Sequence, residues 1–228
     1  MAVNLSAYQH ITGELSSFGA SLVAVSKIKP ASDIMQLYNA GQRIFGENYV
    51  QELLEKQGVL PGDIQWHFIG HLQSNKVKYI APFVSMIHGI DSGKLLLEIS
   101  KQGIKNQRRI DCLLQIHIAE EETKFGLNED ELNELLATLA QSPDKFAGVR
   151  ICGFMGMATN TDNEAQISKE FHQLKQLFER IKAAHFANED SFKELSIGMS
   201  GDYKLALESG ATLVRIGSML FGARNYNK

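Results

Sequence analysis

Short apolar runs alternate with amphipathic segments along the whole chain of 228 residues. Several runs, such as "RIDCLLQIHI", are apolar at both odd and even positions. That pattern is typical of parallel strands covered on both faces. The sequence therefore predicts eight strands. Their expected ranges are 21–26, 42–46, 64–70, 84–90, 109–118, 149–157, 194–198 and 212–220.

Helical spacing fills most of the intervals between these runs. It is clearest in residues 163–185, where apolar side chains recur every three or four positions and charges lie on the other face. A second stripe begins after Pro30 and ends at Gly41, a residue suited to the end of a helix. We also expect one extra helix before the first strand. Weaker helical patterns cover 95–102, 129–140 and 202–209.

The alternation of strands and helices predicts the fold, because it implies βαβ units and a parallel sheet. Eight units in 228 residues average about 28 residues each, close to the need of a barrel of ~250 residues. We therefore expect an α/β protein with a single (β/α)8 TIM-type barrel domain over residues 1–228. A doubly wound open sheet is the alternative, since strand counts from sequence err by one or two.

Composition and charge indicate an ordinary globular protein. The net charge is −3, 44% of the residues are hydrophobic, and no dense basic block indicates nucleic-acid binding. Cys112 and Cys152 lie within apolar runs and are expected to be reduced and buried. The first residues lack the pattern of a signal peptide, and no apolar stretch is long enough to cross a bilayer. The expectation is a cytoplasmic monomer that binds no nucleic acid, membrane or metal.

The first strand ends in "VSKIKP", which contains two lysines. Val23, Val25 and Lys27 share one face because side chains alternate along a strand, and Lys27 is the last of them near the sheet. Lys29 lies further out, where Pro30 keeps it extended. Active sites of (β/α)8 barrels lie at the carboxyl ends of the strands. Lys27 is therefore a candidate nucleophile, with a solvated surface lysine as the alternative.

Two other strand ends carry polar groups. After the second strand, "FGENYVQE" places Glu47 or Asn48 at the start of a helix, where a cap is the simplest explanation. After the third, His67 and His71 are four residues apart, which on a helix could hold a metal ion. On a strand and its following loop they point in different directions, so hydrogen-bonded structural histidines are favoured.

Strands seven and eight end in glycines and small hydroxyl residues. "SIGMSGDY" contains Ser200 and Gly201 before a helix, and "VRIGSML" contains Gly217 and Ser218. Backbone N–H groups at a helix N-terminus bind anions, and barrels favour phosphate after strands seven and eight. The two stretches together predict a phosphate site. GxGxxG is absent, which argues against a dinucleotide cofactor.

Arg215 stands inside the apolar eighth strand, two residues before Gly217. A charge in this position needs a partner. It either pairs with a carboxylate such as Asp202 or Glu208, or it donates to a ligand in the barrel mouth. A nucleophilic lysine, a phosphate site and a buried cation on one rim suggest pyridoxal 5′-phosphate (PLP), which carries an aldehyde, a phosphate and a ring nitrogen.

Together with "AGQRIFGENYVQE", "WHFIGHLQSNK" and "ETKFGL", these stretches run nearly from end to end. In them the chain resembles the pyridoxal-phosphate homeostasis family of PLP-binding barrels. The resemblance implies a barrel similar to that of alanine racemase, with PLP bound as a Schiff base on Lys27. Many relatives have threonine at Ser218 and "SMGMSxD" for "SIGMSGD", but the hydroxyls are retained. The other implied roles are ring contacts by Asn48 and Met157, a ring-nitrogen contact by Arg215, phosphate contacts by Ser200, Gly217 and Ser218, and ligand traffic by Lys124.

The resemblance also favours a carrier that supplies PLP to apo-enzymes over a catalyst. Arginine donates hydrogen bonds but accepts no proton, so a ring nitrogen beside Arg215 stays unprotonated and withdraws electrons weakly. A racemase also needs a second acid or base, for which Tyr203 is the best candidate on this rim. In racemases an additional β-domain supplies that group, and this chain ends at Lys228, a few residues past strand eight.

Two alternatives to the carrier are a PLP enzyme of low activity, such as an amino-acid racemase, and a sugar-phosphate enzyme. In the second, Lys27 would form a Schiff base with the substrate. A yellow colour of the purified protein would favour PLP over the sugar phosphate.

Overall fold

The eight predicted strands close into one barrel in the computed structural model, which describes residues 3–121 and 125–222. Each strand pairs in parallel with the next, and the last pairs with the first. The predicted (β/α)8 barrel is confirmed, and the open sheet is wrong. The strands are β1 (Ser21–Val25), β2 (Ile44–Glu47), β3 (Gln65–Phe68), β4 (Met86–Ile90), β5 (Ile110–Gln115), β6 (Val149–Met155), β7 (Glu194–Met199) and β8 (Leu213–Ile216).

Several strands are shorter than predicted, most clearly β8, which ends at Ile216 and not at residue 220. The chain turns at Gly217, and a short helix follows. Leu220 and Phe221 remain buried on that helix. The apolar run continues across the turn because both elements pack in the core, so hydrophobicity alone could not locate the end of the strand.

Nine α-helices are present in the described part of the chain. The extra N-terminal helix is confirmed, and the helix expected after the second strand is present, whereas the fourth and ninth helices have no counterpart among the predicted helices. Glu47 ends β2 and does not open the next helix, which begins at Val50. The helices are α1 (Leu5–Ser17), α2 (Ala31–Asn39), α3 (Val50–Gln57), α4 (Val77–Ile80), α5 (Gly93–Lys105), α6 (Glu129–Gln141), α7 (Glu164–His185), α8 (Tyr203–Glu208) and α9 (Ser218–Phe221).

The core has two layers that follow the alternation of side chains along each strand. Leu22 and Ala24 of β1 point outward into a large apolar layer between the sheet and the helices, while Val23 points into the barrel. Cys112 belongs to the outer layer and Cys152 to the inner one; both are free and buried, as predicted. The inner layer is small: Val23, Met86, Leu113, Cys152, Met155 and Leu213.

Gly153 allows a β-bulge in the pairing of β5 with β6. The pairing register shifts between Cys112 and Leu113, and Gly153 there has a φ of +144°. A Cβ at this position would overlap with the carbonyl oxygen of Glu194 on β7. Backbone on a neighbouring strand cannot move aside without disturbing the barrel.

We expect Gly153→Ala to lower the free energy of unfolding by about 3 kcal/mol or more, because it combines a backbone clash with an unfavourable φ. Gly13→Ala is the matched control: Gly13 lies within α1, and a Cβ added there would have no atom within 4 Å beyond its own helix turn. That change should stabilise the protein by up to about 1 kcal/mol. Urea unfolding of both variants measures the difference, and equal midpoints would contradict the role of Gly153.

Candidate functional site

A cavity of about 270 Å³ opens at the carboxyl end of the barrel. Three larger depressions, of about 460, 480 and 300 Å³, lie elsewhere on the protein, and none is lined by Lys27, Ser200 or Arg215. We take the smaller cavity as the site, since barrels place their chemistry at this end. Its lining residues are Val25, Lys27, Asn48, Ile69, Met155, Met157, Met199, Ser200, Gly201, Arg215, Gly217 and Ser218.

The structure thus brings seven of the predicted site residues together around one cavity. The eighth, Lys124, lies outside the described residues. Met157 lines the cavity from the loop after β6, because that strand ends at Met155 rather than at Met157. The sequence analysis missed the apolar wall formed by Ile69, Met155 and Met199; for Met155 an available signal was its position two residues before Met157, which gives the two the same parity.

The two lysines after β1 have different surroundings. Val25 and Lys27 line the cavity in continuation of Val23, as the strand parity predicts. The Lys29 ammonium donates instead to the carbonyl oxygens of Phe221 and Gly222, at 2.8 and 3.4 Å. Lys29 therefore holds the end of α9, and Lys27 is the lysine that lines the cavity.

Arg215 is almost fully buried and is held by neutral oxygens. Its Nη1 donates to the carbonyl oxygen and to Oγ of Ser196, at 2.6 and 2.7 Å, and its Nη2 donates to the carbonyl oxygen of Gly156 at 3.0 Å. Burial lowers the pKa of Arg215 to about 10, although Asp202 opposes the shift. Arg215 therefore stays charged at neutral pH. Among the described residues it forms no salt bridge with Asp202 or Glu208, so the predicted alternative of a direct ion pair is wrong.

A chain of buried polar groups extends from Arg215 through the barrel. Ser196 Oγ lies 3.0 Å from Nδ1 of His88, and Nε2 of His88 lies 2.9 Å from Nδ1 of His67. His71 contacts Asp91 instead. The two histidines considered for a metal site therefore do not face one another. Within residues 3–121 and 125–222, no group of three potential metal-binding side chains is present.

His88 was missed by the sequence analysis, although its parity on β4 placed it inside the barrel. It comes two residues after Met86, a member of the inner apolar layer. Arg215 likewise comes two residues after Leu213. On both strands the next inward-facing side chain after the apolar layer, towards the carboxyl end, is therefore polar. These polar side chains lie between the apolar layer and the cavity.

The glycine and serine stretches of β7 and β8 meet at the cavity. The backbone N–H of Gly217 donates to Ser200 Oγ at 3.4 Å. A Cβ on Gly217 would lie 3.0 Å from the carbonyl oxygen of Val25, so glycine allows this close approach to β1. α9 begins directly at Ser218. α8, by contrast, begins three residues after Ser200, with Asp202 at its N-cap.

Asn48 and Tyr203 differ in their suitability for the site. The side-chain oxygen of Asn48 is buried and has no hydrogen-bond partner among the described residues. The hydroxyl of Tyr203 donates to the Glu14 carboxylate at 2.7 Å, and Tyr203 does not line the cavity. Its burial and this contact raise the pKa of Tyr203 to about 12. The idea that Tyr203 serves as an acid or base at this cavity is therefore wrong.

Comparison with known proteins first identifies the class. The sequence pattern "Alanine racemase, N-terminal domain" matches residues 3–225. Alanine racemase from Bartonella henselae aligns with a TM-score of 0.69 at 18% identity, over 100% of this chain and 65% of that one. At that identity the likeness shows the fold.

No helix in the described part of the chain is long and apolar enough to span a membrane.

More similar relatives then identify the family. The pyridoxal phosphate homeostasis protein of Aquifex aeolicus is 38% identical over 91% of this chain and 88% of that protein. The Escherichia coli K12 protein of the same name is 37% identical over 91% and 87%. PipY of Synechococcus elongatus, solved without PLP, aligns with a TM-score of 0.87 at 33% identity, over 95% of this chain and 99% of that one. A structure of PipY with PLP bound aligns at 0.80 and 34% identity, over 90% and 93%. The chain belongs to the pyridoxal phosphate homeostasis protein family.

We expect acid to destabilise the protein through the histidine pair. Burial lowers the pKa of His67 from 6.5 to about 4, and burial, His67 and Arg215 together lower that of His88. The unfolded chain therefore takes up protons first. The stabilisation is complete above pH 6.5 and is lost as the pH falls towards 4, on the order of 3 kcal/mol for His67.

Chemical unfolding of His67→Gln between pH 4 and pH 7 measures this effect. The variant should lose less stability with acid than the wild type, because it lacks one buried group that binds a proton more weakly in the folded state than in the unfolded state. His10→Gln, on the exposed face of α1, should follow the wild-type slope. An unchanged slope in His67→Gln would contradict the role of the pair.

Proposed function

We propose that this protein is a single-domain carrier that binds PLP reversibly in the 270 Å³ cavity and supplies it to apo-enzymes in the cytoplasm. Lys27 is the point of covalent attachment. The observation that carries the proposal is the convergence of Lys27, Arg215 and the Ser200 and Gly217–Ser218 stretches on that cavity. The names of the relatives and the PLP-bound PipY structure support it.

The residues present fit the chemistry of this cofactor. PLP supplies an aldehyde that condenses with a primary amine and a ring that withdraws electrons from the attached group. Lys27 provides the amine. The Ser200 and Ser218 hydroxyls and the free N–H groups at the start of α9 provide donors for an anion. The unpartnered oxygen of Asn48 provides a further polar contact at the wall, and Met157 provides an apolar one.

Arg215 supports binding without turnover. Its guanidinium carries only donors and delivers no proton to a neighbouring nitrogen at neutral pH. Ser196 and Gly156 fix the guanidinium in place. It can therefore orient a ring by donating a hydrogen bond to it from a fixed position. The chain through His88 and His67 keeps Ser196 in place and does not reach the cavity lining.

The lining also limits proton transfer. Among the described lining residues, Lys27 and Arg215 are the ionisable ones. Proton abstraction and return on two faces of a substrate needs two groups within hydrogen-bond reach. Lys27 is one, and Tyr203 is turned towards Glu14. This supports a binding role over a racemase. Two buried free cysteines are consistent with a reducing compartment such as the cytoplasm.

Borohydride reduction of the PLP-loaded protein, followed by peptide mapping, should place the pyridoxyl group on Lys27. Lys27→Ala should lose the long-wavelength absorbance of the loaded protein. Lys29→Ala should keep it, because Lys29 is directed to the carbonyls of Phe221 and Gly222. A label on Lys29 or Lys124 would overturn the assignment.

Alanine added to the loaded protein in deuterated water should keep its α-proton, as followed by NMR, at a rate no higher than with free PLP. The reasons are that Arg215 only donates hydrogen bonds and that the described lining residues include no second acid or base besides Lys27. Loaded protein should at the same time restore the activity of an added apo-enzyme. Rapid exchange that disappears in Lys27→Ala would identify an enzyme and overturn the carrier role. Arg215→Glu should raise any exchange, provided that its PLP occupancy is checked first, since a buried carboxylate is costly.

A further inference from the structure

The segment that carries Lys27 is tied to α3 on both sides. Before it, the carbonyl oxygen of Ser26 accepts from the Lys56 ammonium at 2.7 Å. After it, the backbone N–H of Ile28 donates to Glu52 Oε1 at 2.6 Å. Lys56 and Glu52 are one helical turn apart and contact each other at 2.7 Å. One turn of α3 therefore fixes the backbone on either side of Lys27.

Ile28 has a backbone conformation that needs such support. Its φ is +61°, in the left-handed region, and Gln107 is the other non-glycine residue with positive φ in the described part of the chain. A β-branched residue is strained there. Ile28 is 42% exposed, so apolar burial compensates little of this strain. Two hydrogen bonds hold the turn: the backbone N–H of Lys29 donates to the carbonyl oxygen of Ser26 at 3.1 Å, and the backbone N–H of Ile28 makes the shorter, charge-assisted one to Glu52.

The network behind this turn is a buried charge cluster. Lys56 also contacts Glu47 Oε1 at 2.7 Å, and Ser26 Oγ donates to the same oxygen at 2.5 Å. Glu47 is fully buried, and its second oxygen has no partner among the described residues. Burial raises the pKa of Glu47, and Lys56 opposes the shift. Buried ion pairs are weak contributors to stability compared with apolar packing. A role in fixing geometry explains why the cluster is there.

The turn at Ile28 separates the two lysines. Lys27, before the turn, lines the cavity, and Lys29, after it, reaches the carbonyls at the end of α9. If the turn relaxed to an ordinary conformation, the direction of Lys27 would no longer be set by β1. We propose that Glu52 is a positioning residue that aims Lys27 at the bound cofactor through the backbone of Ile28 and the Lys56 ammonium. This inference rests on the proposed attachment of PLP to Lys27.

The test compares two ligands in matched variants. Pyridoxine 5′-phosphate has an alcohol where PLP has an aldehyde, so it occupies the same site without a bond to lysine. Glu52→Ala removes the acceptor of the Ile28 N–H. Glu52→Gln keeps an oxygen at that position but not the charge. Glu55→Ala is the control, because Glu55 lies on the exposed face of the same helix and contacts Gln51.

We expect Glu52→Ala to weaken PLP binding about tenfold or more, the equivalent of one hydrogen bond to a charged group, and to slow the absorbance change that reports attachment. Its affinity for pyridoxine 5′-phosphate should change by less than about twofold, since the anion and ring contacts lie on other elements. Glu52→Gln should recover part of the loss, and Glu55→Ala should behave as the wild type.

Equal losses for the two ligands in Glu52→Ala would show a general structural defect and overturn the proposal. Unchanged PLP binding would overturn it as well. If Glu52→Ala does not fold, the same comparison in Glu52→Gln decides: a loss confined to PLP supports positioning, and equal or absent losses reject it. Borohydride mapping of the wild type distinguishes a failure of the proposed function from a failure of the role of Glu52. A label away from Lys27 would reject the proposed function itself, whereas a label on Lys27 with equal ligand losses would reject the role of Glu52 alone.

Discussion

The pairing of β1 with β8 is the constraint on which the rest of the site depends. It closes the barrel and places Val23 opposite Arg215 and Ala24 opposite Ile216. Because both strands run in the same direction, the residues that follow them emerge side by side at the carboxyl end. Lys27, Gly217 and Ser218 therefore line the same cavity, although about 190 residues separate Lys27 from the other two in the chain. An open sheet of the same strands would leave these two groups on opposite edges.

The barrel interior has to accommodate a cation, and it does so with neutral dipoles. Arg215 donates hydrogen bonds to two carbonyl oxygens and one hydroxyl oxygen, and Asp202 interacts with it only at longer range. A carboxylate in contact with Arg215 would instead offset the charge of the guanidinium. Carbonyl and hydroxyl oxygens fix the group while leaving its charge directed to the site. The two histidines continue this neutral support, because burial keeps both of them uncharged at neutral pH.

Parity along the strands explains what could be predicted from the sequence. It placed Lys27 on the inner face of β1 and would have placed His88 on the inner face of β4. It could not locate the end of β8, where burial continues through a turn. It also gave no indication of the left-handed Ile28, since an isoleucine there is unfavourable on local grounds alone. That conformation depends on a carboxylate 24 residues further on, and such long-range compensation is not visible in local patterns.

Lys27 and Arg215 are both held by the protein, and this bears on the proposed carrier role. Arg215 is fixed by three direct hydrogen bonds of its side chain and a buried polar chain behind them. The backbone on either side of Lys27 is fixed by contacts to Ser26 and Ile28, and Lys27 lines the cavity. A rigidly held donor and a lysine whose flanking backbone is anchored, both at the cavity, are consistent with the proposed carrier role. Catalysis on the attached group needs in addition a second side chain that exchanges protons with the substrate. Among the described lining residues the apolar side chains of Ile69, Met157 and Met199 stand beside the ionisable pair. The lining, more than the fold, therefore supports the proposed carrier role, since alanine racemase has the same fold.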